Sequence, residues 1–193
     1  YTSTNIKNAA GRAKHAYLNY QPQTTTGNAQ TTNNHIRHQT SSTTTHKTTT
    51  KRLTLGKPNP NTGVATLTID CKDAKQNTMS TELVAEFAQA CDAIEADPAI
   101  KAVVLASAKP GSFIAGADVK QIAALGALPA EAAAAASRAG QESLDRLAAM
   151  QRSKPWVAAI DGSCLGGGLE MSLACAYRVA STSPKTVLGL PEV

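Results

Sequence analysis

From Val64 to Ile69 the chain alternates, with Leu67 and Ile69 on one face and Thr66 and Thr68 on the other, which predicts a half-buried strand. The period then changes. Leu83, Phe87, Ala90 and Ile94 recur at helical spacing behind Ser80, a capping residue, and Asp97-Pro98 ends the run. Ala102–Ser107 is a short continuous apolar stretch, as in a strand buried on both faces. A loop is predicted over Lys109–Ala117, then a helix from about Asp118 and an Ala-rich helix over 130–151. Trp156–Ile160 reads as a second buried strand, followed by the glycine-rich turn Gly162–Gly168 and a helix with Glu170, Leu173 and Ala174. Strands alternating with helices predict an α/β domain, in which chemistry gathers at the loops leaving the strands.

Residues 1–57 break this pattern. They contain 15 Thr, only five large aliphatic residues (Ile6, Leu18, Ile36, Leu53, Leu55), eight basic residues and no acid. So few apolar side chains cannot offset the entropy of ordering, so a disordered basic Thr-rich tail is expected over 1–57 and a folded body over 58–193. The tail has the composition of an organelle transit peptide; spurious sequence upstream of a gene start is an equal reading. As a nucleic-acid arm its charge is too dilute, and no nucleic-acid partner is expected. The body carries 11 basic and 14 acidic residues, so the overall charge of +5 belongs to the tail.

All four histidines lie in the tail. The body therefore lacks the imidazole that His-ligated zinc sites, Ser-His-Asp triads and Cys-His pairs require, and no metal site is expected. Cys71, Cys91, Cys164 and Cys175 form no CxxC and suit a reducing compartment. The final residues, Leu190-Pro-Glu-Val193, read as the interior of a longer domain.

Both glycine loops follow a buried strand and open a helix. A dinucleotide fingerprint would need glycine where Met171 stands, and a phosphate loop would need Lys-Ser/Thr where Ala117-Asp118 stand. No Gly-x-Ser occurs, so the serine nucleophile elbow is absent. What remains is two turns with unpaired N–H groups, which side by side can hold one oxyanion. Glycines that merely permit tight turns are the alternative. Acid–base work in the body falls to carboxylates, Lys, Cys or Tyr177. Glu170, among Leu169, Met171 and Leu173, and Glu192, in an otherwise uncharged stretch, are the candidates, and apolar surroundings would raise their pKa values.

Phe113-Ile-Ala-Gly-Ala-Asp-Val-Lys120 together with Lys154-Pro-Trp-Val-Ala-Ala-Ile-Asp-Gly-Ser-Cys-Leu-Gly-Gly-Gly-Leu-Glu170 resembles the crotonase (enoyl-CoA hydratase/isomerase) superfamily. With Lys185–Val193 added, the body is most similar to the hydratase part of mitochondrial trifunctional α subunits, with the bacterial multifunctional fatty-acid oxidation subunits as near relatives. The resemblance covers about residues 63–193. It implies a spiral of ββα units, here lacking its C-terminal part, and a coenzyme A thioester as substrate. By position it assigns the oxyanion-hole N–H groups to Ala117 and Gly167 and the catalytic carboxylates to Glu170 and Glu192. It assigns substrate contacts to Ala115, Gly116, Asp118, Val119, Lys120, Gly166 and Gly168.

The implied reaction is hydration of trans-2-enoyl-CoA to 3-hydroxyacyl-CoA, with no cofactor for that step; NAD would serve only a dehydrogenase half. A thiolase-type β subunit, a homo-oligomer and the mitochondrial matrix, alternatively a bacterial cytoplasm, are further implications. An isomerase, or a non-catalytic acyl-CoA-binding chain, is the competing reading.

Overall fold

In the computed structural model, which describes residues 51–127 and 129–191, the first strand is β1 (Leu53–Leu55), antiparallel to β2 (Val64–Ile69). The body thus starts before the expected boundary at 58. Leu53 is buried, and the N–H groups of Arg52 and Leu53 donate to the Glu86 carboxylate at 2.8 and 3.0 Å. Pairing with β2, burial of Leu53 and the Glu86 carboxylate tie this segment to the body, although its composition matches the tail. Residues 1–50, with most of the expected disordered segment, lie outside the described residues.

Helix α1 (Thr81–Ala96) begins where Ser80 Oγ accepts the Leu83 N–H and ends at Asp97, burying Leu83, Phe87, Cys91 and Ile94. Strand β3 (Ala102–Ser107) lies between β2 and β5 (Trp156–Ile160), parallel to both, and β7 (Tyr177–Ala180) follows. The five-stranded sheet has the order β1-β2-β3-β5-β7. Its residues divide by alternation. Leu67, Ile69, Leu105, Trp156 and Ile160 join the main core with Phe87 and Ile94 of α1, while Val104, Ala106, Val157 and Ala159 form a smaller buried cluster.

The two segments expected to be loops each contain a short strand. β4 (Ser112–Ala115), β6 (Ser163–Leu165) and β8 (Val187–Gly189) form a second parallel sheet in the order β4-β6-β8. Fully buried Phe113, Ile114 and Cys164 anchor two of them, and their brevity between glycines hides them from periodicity. Helix α2 (Val119–Gly126) follows β4, α3 (Ala130–Met150) comes next, and α4 (Gly167–Ala174) follows β6. A strand of the large sheet, a strand of the small sheet and a helix repeat in turn, giving the ββα order that the resemblance implied.

Candidate functional site

The site forms where strands of the small sheet end. β4 and β6 run parallel with Ala115 beside Leu165, so two steps further on each strand stand Ala117 and Gly167. Each follows a glycine with positive φ, Gly116 (100°) and Gly166 (49°), a backbone shape that side chains disfavour.

Ala117 is oriented by a neighbouring segment. The Ala115 N–H donates to the Asn77 carbonyl (2.8 Å), the Met79 N–H to the Gly116 carbonyl (2.8 Å), and the Asp118 N–H to the Met79 carbonyl (3.3 Å). This is a parallel bridge between Met79 and Ala117. In such a bridge one residue bonds the neighbours of the other, so the peptide groups of Ala117 itself point away from the 77–79 segment. Gly167 is the first residue of α4, where helix N–H groups have no internal partner and the helix dipole presents its positive end. Neither the Ala117 nor the Gly167 N–H has a hydrogen-bond partner among the described residues.

Glu170 sits one turn into α4, with a carboxylate oxygen 3.7 Å from the point where a Gly167 Cβ would stand. Both residues line a cavity of about 280 Å³ whose other walls are Met79, Val84, Phe87 and Met171 and the α3 residues Ser137, Gly140 and Leu144. Apolar side chains wall this cavity, yet they do not enclose Glu170 as expected. Met171 is buried, but Leu173 is 55% exposed and Glu170 itself is exposed, because a single helical turn spreads these neighbours around the axis.

Gly168 serves packing: a Cβ there would stand 2.6 Å from Ile114 Cβ and from its carbonyl oxygen. Asp118 caps α2, accepting from the Lys120 and Gln121 N–H groups at 2.9 and 3.4 Å. Val119 and Lys120 are exposed at the start of α2 and do not line the cavity. Asp118 faces instead a second, more polar cavity of about 250 Å³, lined also by Arg52, Lys72, Asp73 and Gln121. Glu192 lies outside the described residues; β8 ends three residues before it.

All four cysteines are buried and free. Burial pushes the Cys91 thiol up to about 11 and the Cys175 thiol to about 12, so neither supplies a thiolate near neutral pH. Sequence reasoning missed Asn77, whose fully buried side chain hydrogen-bonds Cys71 just past β2, Ser107 at the end of β3 and Phe113 of β4. A polar residue in a loop of Lys, Asp and Gln gives no sign of burial.

An enoyl-CoA hydratase/isomerase family model matches residues 59–193. The chain belongs to this family. It is 46% identical over 131 residues to a fatty acid oxidation complex subunit alpha from Idiomarina loihiensis, covering 68% of this chain and 18% of that one. Among solved structures, an enoyl-CoA hydratase from Bacillus anthracis is 28% identical with a TM-score of 0.63, over 74% of this chain and 51% of that one. Human mitochondrial delta3-delta2-enoyl-CoA isomerase is 30% identical with a TM-score of 0.64, over 74% and 52%. The chain thus spans about a fifth of the curated relative's length and about half of these family structures. The crotonase-like fold is shared with both.

Proposed function

We propose that this family member carries the hydratase site of a longer fatty-acid oxidation protein, adding water to trans-2-enoyl-CoA. The observation that carries the reading is the pair of unpartnered N–H groups at Ala117 and Gly167, at adjacent strand ends, with Glu170 one turn beyond.

The thioester oxygen accepts both N–H groups, which draws electron density from the conjugated double bond. Glu170, with Glu192 as the second carboxylate, holds a water and takes its proton as the oxygen attacks Cβ. Negative charge collects on the thioester oxygen, where the two donors and the α4 N-terminus stabilise it, and a proton returns to Cα. The apolar cavity along α1 and α3 receives the acyl chain. The polar cavity beyond Asp118 suits the polar part of coenzyme A. Hydration uses no further cofactor; NAD belongs to a dehydrogenase activity elsewhere in such a protein.

Similarity to an isomerase structure supports a second reading, a shift of the double bond with Glu170 moving the proton. The test assays the full-length protein with a trans-2-enoyl-CoA and a 3-enoyl-CoA. Hydration of the first at the higher kcat/KM supports the proposal; preferential isomerisation of the second overturns it. The full-length protein is proposed to be multifunctional and homo-oligomeric with a thiolase-type partner; the relative's name, subunit alpha of a fatty acid oxidation complex, supports a partner subunit. Two curated relatives, from Idiomarina loihiensis and Shewanella loihica, are bacterial, which supports the bacterial cytoplasm over the mitochondrial matrix. Among the described residues no helix is long and apolar enough to cross a membrane.

A further inference from the structure

We infer that Asn77 and Ser107 are positioning residues that set the Ala117 N–H through β4, an inference that rests on the hydratase reading above. Asn77 is fully buried, and a buried amide persists only when its polar atoms are paired. Its Oδ1 accepts the Cys71 N–H (2.9 Å), and its Nδ2 donates to Ser107 Oγ (2.9 Å) and the Phe113 carbonyl (3.1 Å). Ser107 Oγ accepts the Lys109 N–H (3.0 Å) and donates to the Ser112 carbonyl (2.6 Å). The Asn77 main-chain carbonyl accepts the Ala115 N–H (2.8 Å). One network thus ties the ends of β2 and β3 to three of the four β4 residues.

The location of these bonds gives them their role. β4 is an edge strand of the small sheet, and its pairing with β6 shifts register between Ser112 and Ile114. Sheet pairing alone therefore leaves the phase of β4 weakly determined, and the side-chain bonds fall on Ser112 and Phe113, at the shift. Two residues past β4 comes Ala117. An oxyanion donor acts within a few tenths of an ångström, and a displacement of about 1 Å costs roughly 10²-fold in rate. The clamp holds the donor without touching the substrate.

The test uses the full-length protein with Ser107→Ala, Ser107→Thr and Asn77→Asp. Asn77→Asp keeps the shape and turns an acceptor toward the Phe113 carbonyl. Three quantities are read per folded molecule: kcat, affinity for a saturated acyl-CoA, and the carbonyl stretching frequency of bound enoyl thioester. The expected result for Ser107→Ala is a kcat lower by about 10- to 100-fold, with acyl-CoA affinity little changed. The carbonyl stretch should move back toward that of free thioester, and Ser107→Thr should restore both. Asn77→Asp should show the larger loss; if it fails to fold, the Ser107 pair decides. A kcat and carbonyl stretch unchanged in Ser107→Ala, with only the melting temperature lowered, would overturn the inference and make the network purely structural. A wild-type protein that shows neither hydration nor a carbonyl shift on binding overturns the functional reading, and this inference with it.

Discussion

The two turns that supply the candidate donors both pass through a glycine with positive φ, and they are held by different means. At Ala117 the turn is braced from outside: the 77–79 segment bonds it on one side, and Asp118 and Gln121 tie α2 down after it. Gln121 Oε1 accepts both the N–H and the hydroxyl of Thr81, and its Nε2 donates to Glu82, clasping α2 to the start of α1. At Gly167 the turn is held from within its own sheet and helix: the Gly166 N–H donates to the Gly189 carbonyl (2.9 Å), and the Ser172 hydroxyl donates to the Gly168 carbonyl (2.9 Å). Close approach adds to these bonds, since Gly168 rests on Ile114 and Gly162 on the Gly111 backbone. The backbone contacts that demand glycine fall on Gly162 and Gly168, whereas a Cβ at the donor Gly167 itself would meet side chains, Met79 at 3.3 Å and the Glu170 carboxylate at 3.7 Å.

Predictions that would break this contrast begin with the chemistry. In the full-length protein, Glu170→Gln and Glu192→Gln should each lower hydration by about 10²–10⁴-fold while acyl-CoA affinity stays close to wild type. Gln keeps the shape but cannot accept the proton, and near-normal turnover in either variant removes that residue from the mechanism. Gly167→Val comes next. A Cβ there would stand 3.3 Å from Met79 Cγ, and the valine methyls would add bulk beside Glu170, so affinity and rate should fall together.

Gly168→Ala should act on stability, because its Cβ meets strand backbone that cannot yield. A loss of about 3 kcal/mol in denaturant unfolding is expected, the upper part of the overpacking range. If Gly168→Ala folds as well as wild type, close approach does not hold the second turn. Gly111→Ala tests backbone shape alone: its φ is +70°, and the nearest atom is Lys185 Cδ at 3.5 Å. It should cost about 1–2 kcal/mol with unchanged turnover per folded molecule.

The smallest effect concerns the clasp at the first turn. The Ser80 hydroxyl, Glu82's own N–H and Gln121 hold the Glu82 carboxyl below its usual pKa. A depressed folded pKa stabilises the protein above the unfolded value, and that contribution is lost as pH falls through the folded pKa. The clasp should therefore weaken on acidification below about pH 4, and Glu82→Gln should remove that part of the pH dependence. Glu82 is exposed, so the change in midpoint should be small. A larger shift from Glu82→Gln than from Gly168→Ala would reverse the ranking of the two turns.

Strand β2 and helix α1 were legible from their periods, with Ser80 and Asp97 marking the ends of α1, while β3 and β5 were legible as continuous apolar runs and α3 as an Ala-rich stretch after Pro129. The glycine loops were legible as turns with free N–H groups, since their flanking residues exclude nucleotide and nucleophile chemistry. Residue order alone thus determined the α/β class, the two turns and Glu170 as a candidate, while the family resemblance assigned the donors to Ala117 and Gly167. Tertiary structure decided the rest. Strands β4, β6 and β8 have three or four residues, too few for a period, and exist because neighbouring strands supply their hydrogen bonds. β1 joins the body because Glu86, more than thirty residues away, pairs with its backbone. Asn77 becomes a clamp only when three strand ends close around it, and Glu170 is exposed despite apolar sequence neighbours. Such features depend on groups distant in the chain meeting in space, which local propensity does not encode.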